Sequence, residues 1–419
     1  MSGKRNLVLA LAVTAAVAAP SAFATNGYFT EGEGTVNRGM GGAGIAMPQD
    51  AMAAAVNPAG IVKLGGRMDL GLGLFRPDRH YTVTGNGAGL NGDADGNDTN
   101  NFLIPSFGYN SKLSSTDAFN ISVYGNGGMN TNYKNAVFGS FSPGNTSNTG
   151  VDLAQLFINA SYAKSFGATS VGGGVIAAYQ TFKAYGLQGF DNAGYSKSPG
   201  NVTNKGVDNS TGFGLRLGVL QDISKDVSVG ATYQSKIKGK FDKYKGLFAE
   251  QGEFDIPSNY GAGIAWKATP VVDVALDFVK IKYTDSKSVS NPIENLTVSG
   301  NQFGSNNGPG FGWKDISVIK LGVQYKSSSD LTLRAGWNHG DNPIPSSQVA
   351  VNILAPGVVT DHLNLGFTQA LDKGSDINFM FMHAFEKKVS GAIPNGFGAG
   401  TAEIKLSENY AEVGYSKKF

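Results

Sequence analysis

From Arg67 onward the chain alternates. Segments such as VSVGATYQ (227–234), VIKLGVQY (318–325), LTLRAGWN (331–338), HLNLGFTQ (362–369) and INFMFMHAF (377–385) place apolar residues at every second position. Polar residues or glycine fill the positions between. That is the period of a strand with two different faces. About fourteen such runs are present, an even number, as single-chain bacterial barrels require. The predicted spans are 67–84, 101–113, 116–128, 152–165, 169–187, 209–223, 226–239, 253–268, 270–284, 314–327, 329–341, 360–371, 373–389 and 403–419.

The connections between the runs alternate short and long. The short ones are SST (114–116), GA (167–168), SKD (224–226), ATP (268–270), SSSD (327–330) and DKGSD (372–376). The long ones lie near 85–100, 129–151, 188–208, 240–252, 285–313, 342–359 and 390–402, and are rich in Gly, Asn, Ser and Asp. Tight turns at one end and long loops at the other are how outer-membrane barrels are built. A soluble sandwich has no reason to segregate loop lengths. The chain ends on Phe419, with Tyr415, Val413 and Ala411 at alternate preceding positions. This resembles the terminal-strand signal read by the outer-membrane assembly machinery. Lys417 departs from it and is placed at the periplasmic rim, where a lysine snorkels.

In the run 329–341, Leu331, Leu333, Ala335 and Trp337 share one face. That face is assigned to lipid, because a charge near the midplane costs about 2–4 kcal/mol. Arg334 then points into the lumen, as do Arg216 and Asp277. The same count turns Phe157, Ile176, Phe182, Leu220, Val279, Ile316, Val318, Met380 and Met382 inward. Apolar lumen residues beside Arg334 and Arg216 suit an amphiphile, with burial for the tail and a cation for an anionic head. Packing of a plug against the wall explains the apolar positions equally well.

The N-terminus sets the compartment. Lys4 and Arg5 precede a short apolar run, Leu7 to Ala19, and Ala22-Phe23-Ala24 is a small-x-small cleavage site. This predicts an exported chain whose residues 1–24 are a signal peptide. There is no cysteine, so no disulfide framework or thiol nucleophile exists. Charged residues are only 16% and net charge is +2, which gives no electrostatic case for nucleic acid. After the leader no apolar run is long enough for a spanning helix, so membrane insertion has to be by a closed barrel. Glycine is abundant, at 59 residues. Between leader and first strand lies RGMGGAGIAMPQDAMAAAVNPAGIVKLGG (38–66), a small-residue stretch in which Pro58 stops Ala51–Val56 from continuing as helix.

The stretch TNGYFTEGEGTVNRGMGGAGIAMPQDAMAAAVNPAG (25–60) and the later GFGWKDISVIKLGVQYKSSSDLTLRAGWNHGDNPIP (310–345) resemble the FadL family of outer-membrane channels for long-chain fatty acids and other hydrophobic compounds. The likeness is specific at Asn57-Pro58-Ala59, at Trp313-Lys314-Asp315, and at Arg334-Ala335-Gly336 followed by Pro343-Ile344-Pro345. It implies a fourteen-stranded barrel (67–419) with a small N-terminal hatch (25–66) inside the lumen. It implies capture of substrate among external loops, transfer to a lumen pocket partly formed by Tyr28 and Phe29, and sideways exit at a kink in the third strand. The kink candidate is YGNGG, with Gly125, Gly127 and Gly128 interrupting strand pairing; strand-end turn glycines are the plainer reading. For the external groove, Phe241, Tyr244, Leu247 and Phe248 form an apolar stripe in the loop 239–250, flanked by Lys240, Lys243 and Lys245. A stripe packed on the barrel rim accounts for them equally. The loop 285–313 offers less.

An enzymatic reading finds no support. No nucleophile motif surrounds a serine, and His339-Gly340-Asp341 reads as a loop hydrogen-bonding group. Metal spacing is absent, and DADGNDTNN (93–101) lacks the distal glutamate of a calcium loop. The sequence thus predicts an all-β, passive outer-membrane channel of a Gram-negative bacterium, without cofactor, acting as a monomer among outer-membrane lipid and lipopolysaccharide. Its substrate is a hydrophobic or amphipathic small molecule, in first place a long-chain fatty acid. An aromatic-hydrocarbon channel of the same family, and a general porin or adhesin, are the alternatives.

Overall fold

The computed structural model describes residues 25–142 and 144–419. The predicted signal peptide lies outside the described residues. Fourteen antiparallel strands follow one another in space as they do in sequence. They are β1 (Arg67–Thr84), β2 (Phe102–Lys112), β3 (Asp117–Tyr133), β4 (Thr149–Phe166), β5 (Thr169–Tyr185), β6 (Asp208–Asp222) and β7 (Val227–Gln234). Then come β8 (Asn259–Thr269), β9 (Val272–Ile281), β10 (Ile316–Lys326), β11 (Leu331–Gly340), β12 (Asp361–Asp372), β13 (Ser375–Ala392) and β14 (Thr401–Lys418). β14 pairs with β1 from Arg67↔Lys418 to Thr84↔Thr401, which closes the barrel and removes the sheet edges. A short strand over Gly92–Asp95 adds to the outer half of β1, above the point where β2 begins.

The alternation predicts the faces. Leu72, Leu74, Phe213, Leu215, Leu217, Leu276, Phe278, Leu363, Leu365 and Val413 are exposed on the outer surface, while their strand neighbours are buried. In β11, Leu333, Ala335 and Trp337 point out and Asn338 points in. Two predicted strands needed trimming. β7 ends at Gln234 rather than 239, and β8 starts at Asn259 rather than 253. The chain between them leaves the barrel ladder and pairs with itself at Ile237↔Ile256 and Lys240↔Glu253. It does so because Ile237, Phe241, Phe254 and Ile256 are all buried together there. β3, conversely, runs past 128 to Tyr133.

Residues 25–66 lie inside the barrel and have little regular structure: one helical turn at Thr35–Arg38 and 3₁₀ turns at Ala51–Ala55 and Pro58–Lys63. Asp50 caps the first 3₁₀ turn through the Met52 N–H, and Asn57 caps the second through the Ala59 N–H. Buried backbone outside a ladder needs partners, and wall side chains supply them. Asp277 of β9 accepts from the Gly44 and Ile45 N–H groups at 2.7 and 3.0 Å. Asp69 of β1 accepts from the Ala51 N–H at 2.8 Å. Asn120 of β3 donates to the Ala51 carbonyl and Lys320 of β10 to the Glu31 carbonyl. Asn57 itself donates to the carbonyls of Ile45 and Val219. Arg38 pairs with Glu412 of β14, whose carboxylate also accepts from Tyr410 and Thr35.

Close approach of two backbones explains part of the glycine content. A Cβ on Gly336 of β11 would lie 2.0 Å from the Gly41 nitrogen, and one on Gly218 of β6 would lie 1.9 Å from the Asn57 amide oxygen. The Gly336→Val variant should therefore expel residues 37–43 from their seat without disrupting the barrel. Hydrogen exchange by mass spectrometry should show amides 37–43 exchanging at least about tenfold faster, with strand protection unchanged. Unchanged protection at 37–43 would refute the seating.

Candidate functional site

The long loops fold over the barrel mouth and bury their aromatic residues against one another. The resulting external pocket spans about 970 Å³ including its open mouth. Phe138, Phe141, Phe190, Phe303, Phe311 and Phe397 come to it from four different loops, and Ser288 is the one polar side chain among the described residues of the lining. Phe190 is the hub, with ring centroids 5.5 Å from Phe138, Phe141 and Tyr195 and 6.0–6.1 Å from Phe303 and Phe397. Such tilted and edge-on ring pairs each add stabilisation beyond burial.

Below this pocket the first residues of the N-terminal segment enter an aromatic cluster. Tyr28 lies 5.2 Å from Tyr283, 5.7 Å from Trp313 and 6.2 Å from Phe254. The Tyr28 N–H donates to the Tyr283 hydroxyl, which in turn donates to the Asn26 carbonyl. A second, narrow cavity, about 350 Å³ with its open mouth included, adjoins the cluster. It is bounded by Phe75, Leu406, Met129, Trp313 and residues 355–357, with Arg79 and Glu408 as its only charged side chains. Phe311 with Trp313, and Leu354 with Ala355, stand on opposite sides of the partition between the two cavities.

The wall is broken beside this second cavity. β2 and β3 pair only as far as Phe107↔Val123. Beyond that point Phe102–Ser106 of β2 retain β1 as partner but have none on β3. β3 carries a bulge between Gly125 and Gly127 that shifts its register against β4. Its freed backbone turns to the N-terminal segment. The Gly128 N–H donates to the Tyr28 carbonyl at 3.0 Å, and the Asn126 carbonyl accepts from the Thr30 N–H at 3.2 Å. A Cβ on Gly127 would lie 1.9 Å from the Tyr28 carbonyl oxygen, so only glycine admits this contact.

Beneath the aromatic layer the lumen becomes polar. Glu31, Glu33 and Arg38 form a buried belt with Lys320 and Glu412. Burial pushes the Glu31 and Glu33 carboxyls up to about 7 against the opposing pull of Arg38. On the short-turn side an open polar vestibule follows, lined among others by Lys63, Arg67, Asp222, Arg334, Asp376 and Lys418.

The structure gathers most of the predicted inward residues into one buried cluster. Tyr28, Phe29, Phe157, Phe182, Phe241, Tyr244, Phe248, Ile316, Val318, Met380 and Met382 belong to it, with Leu247 and Val279 packed on its edge. Phe182, Leu247 and Phe248 line the external pocket. Phe241 and Tyr244 stand behind Phe182, with ring centroids at 5.5 and 4.9 Å. Three predicted residues lie elsewhere. Leu220 packs on Ala46 and Ala59 at the short-turn side. Arg334 donates to Gln324 and Thr368 in the vestibule, and Arg216 donates to Gln234. Among the described residues no cation lines the external pocket, because hydrogen-bonding neighbours hold these arginines in the polar half of the lumen. Lys240 and Lys243 also turn away, to Asp242 and the Val207 carbonyl. The loop 285–313, which the sequence rated low, supplies Ile293, Phe303, Phe311 and Trp313. The missed signal was single phenylalanines in otherwise polar loops. Arg79 and Glu408 were missed as well, although Glu408 shares the inward register of Ile404, Leu406 and Tyr410.

Comparison with known proteins fits this architecture. The profile of the family described as "Outer membrane protein transport protein (OMPP1/FadL/TodX)" matches residues 11–411. The long-chain fatty acid transport protein of Salmonella typhi is 23% identical, covering 92% of this chain and 93% of its own. That of Escherichia coli (strain K12) gives the same figures over 437 residues. Among solved structures, a Pseudomonas aeruginosa FadL homologue superposes with TM-score 0.70 at 14% identity, covering 94% of this chain and all of its own. The P. putida toluene transporter TodX superposes with TM-score 0.68 at 19% identity, covering 93% and 99%.

The bulge makes a specific demand on Gly127. Gly127→Val should displace Tyr28 and reduce uptake of a hydrophobic substrate at least about tenfold, since a small misplacement at a binding site has that order of effect. The barrel should still show heat-modifiable mobility on a gel. Uptake at the normal rate would refute a role for the contact.

Proposed function

The chain belongs to the OMPP1/FadL/TodX family of outer-membrane transport proteins, and from that premise we propose that it is a passive channel for long-chain amphiphiles, in first place fatty acids. Membership makes it an outer-membrane transporter of hydrophobic compounds in a Gram-negative bacterium. The observation that carries the finer reading is the succession of two apolar cavities separated by a thin partition, the outer almost without polar groups and the inner with a charged wall. The outer pocket captures the apolar part of a ligand from the lipopolysaccharide side. The inner one, which adjoins Tyr28 through Trp313, holds it beside the unpaired stretch of β2. Residues 25–66, acting as a hatch, block the direct way down, so the open route is sideways through the wall at the β3 bulge. No step needs an energy source. Phe419 stacks on Tyr109 at 5.8 Å, and the terminal strand that it ends is the natural recognition element for barrel assembly. The channel works as a monomer.

A second reading has one observation in its favour. The outer pocket presents many phenylalanine rings and no cation, a lining that takes an aromatic hydrocarbon as readily as an acyl chain. Growth separates the two. A deletion strain should grow several-fold more slowly on oleate at limiting concentration, and normally on small sugars, with the defect repaired by the plasmid-borne gene. Normal growth on oleate together with impaired growth on toluene would replace the first reading by the second. Impaired growth on sugars would indicate a general porin and refute both.

A further inference from the structure

Glu408 stands out among the buried carboxyls of the wall. Its side chain is completely buried, it lines the second cavity, and neither of its oxygens has a hydrogen-bond partner among the described residues. Other buried wall carboxyls are occupied. Glu412, two alternations away on the same strand face, accepts from Arg38, Tyr410, Thr35 and Ser106. Asp277 accepts from two backbone N–H groups, and Asp69 from Arg67, Ser416 and the Ala51 N–H. Those groups hold the N-terminal segment in place, whereas Glu408 holds nothing.

A buried carboxyl without donors is the costly arrangement of a polar group. The cavity around it supplies none: Phe75, Pro77, Met129 and Leu406 are apolar, the Trp313 indole N–H is given to Asn352, and the Asn130 amide serves Asp152. Arg79 is the one cation among the described residues of the lining, and it attracts Glu408 across the cavity without a hydrogen bond to it. Its guanidinium is spent on backbone and amide acceptors. Nε donates to Asn97, Nη1 to both the carbonyl and the side chain of Asn130, and Nη2 to the Thr99 carbonyl. Of its five N–H groups, one is left.

This arrangement discriminates between head groups. An alkane leaves Glu408 without a donor. An anionic head brings its charge into an apolar cavity, with a single arginine N–H to answer it. A neutral O–H head donates to Glu408 while its chain lies on Phe75, Met129, Leu406 and Trp313. We propose that Glu408 is a specificity-determining acceptor, and that the second cavity takes amphiphiles with an uncharged O–H head: a long-chain alcohol, or a fatty acid in its protonated form. The proposal rests on the reading of the chain as an amphiphile channel.

Trp313 reports on this cavity, because Trp266 and Trp337, the other two tryptophans, face outward. The detergent-solubilised full chain would be titrated with 1-dodecanol, dodecane, and laurate at pH 5 and pH 8, following intrinsic fluorescence. In the natural protein dodecanol should bind at least about tenfold more tightly than dodecane, the order expected of giving a partner to a buried polar group that otherwise has none. Laurate should match dodecanol at pH 5 and fall behind it at pH 8. Glu408→Leu should bind dodecanol and dodecane alike, and Glu408→Gln, which keeps an acceptor oxygen, should retain the preference for the alcohol. An unchanged alcohol-to-alkane ratio in Glu408→Leu, or laurate at pH 8 as the tightest ligand, would overturn the proposal. The natural protein's ligand order decides the matter alone if the leucine variant does not fold. If none of the ligands alters Trp313 fluorescence, the channel reading falls with it, whereas tight dodecane binding without alcohol preference overturns the head-group proposal only.

Discussion

Everything in this barrel depends on satisfying an irregular backbone buried in its lumen. A strand or a helix bonds its own peptide groups, but residues 25–66 form only three short turns. A peptide group that finds no partner within the segment needs a donor or acceptor from the wall. The inward face of the barrel is accordingly not generic. Asp69, Asn120, Asp277 and Lys320 are aimed at particular carbonyls and N–H groups. The buried Arg38–Glu412 pair is held by added hydrogen bonds from Tyr410 and Thr35. A buried ion pair is a weak source of stability but a strong source of position, since removing one member typically costs about 3–5 kcal/mol. The hatch is thus located by polar contacts, and the small residues of 38–66 let its backbone come close enough to make them.

That polar requirement divides the lumen in two. The half facing the short turns holds the charged belt and the polar vestibule. The half facing the long loops is left to apolar side chains, which bury one another and enclose two cavities. An apolar molecule that enters from above meets the hatch and its charges below, where transfer is unfavourable. At the level of Tyr28 the wall lacks its ladder between β2 and the bulge in β3. Closure of the direct path and weakness of the side wall are therefore consequences of one arrangement: the N-terminal segment takes the hydrogen bonds that β2 would otherwise have received from β3.

Strands and loop lengths were legible because a barrel repeats one period and one turn rule. The outward leucines and the inward Met380 and Met382 follow from alternation alone. What alternation does not carry is depth. Arg216 and Arg334 were read as inward, yet position along the strand decides whether an inward arginine meets an apolar ligand or a polar vestibule, and Arg334 meets Gln324 and Thr368. Loops are opaque for another reason. Phe138, Phe190, Phe303 and Phe397 belong to separate loops, and only the closed barrel brings their starting points to one rim. The kink at Gly125–Gly128 was visible as glycine content, but its partner, the Tyr28 carbonyl, is about a hundred residues away and required the fold. Glu408 was within reach of the register count and went unread because acids on inward positions are common.

The central claim is that a hatch-closed barrel passes hydrophobic molecules while excluding hydrated ones. Planar-bilayer recording of the purified full chain, with and without a saturating amphiphile in the bathing solution, tests it most directly. The account predicts no steady ion conductance above that of the bare bilayer in either condition, from a preparation that binds the amphiphile. A stable, ohmic open-pore conductance of the size shown by a water-filled porin would contradict it.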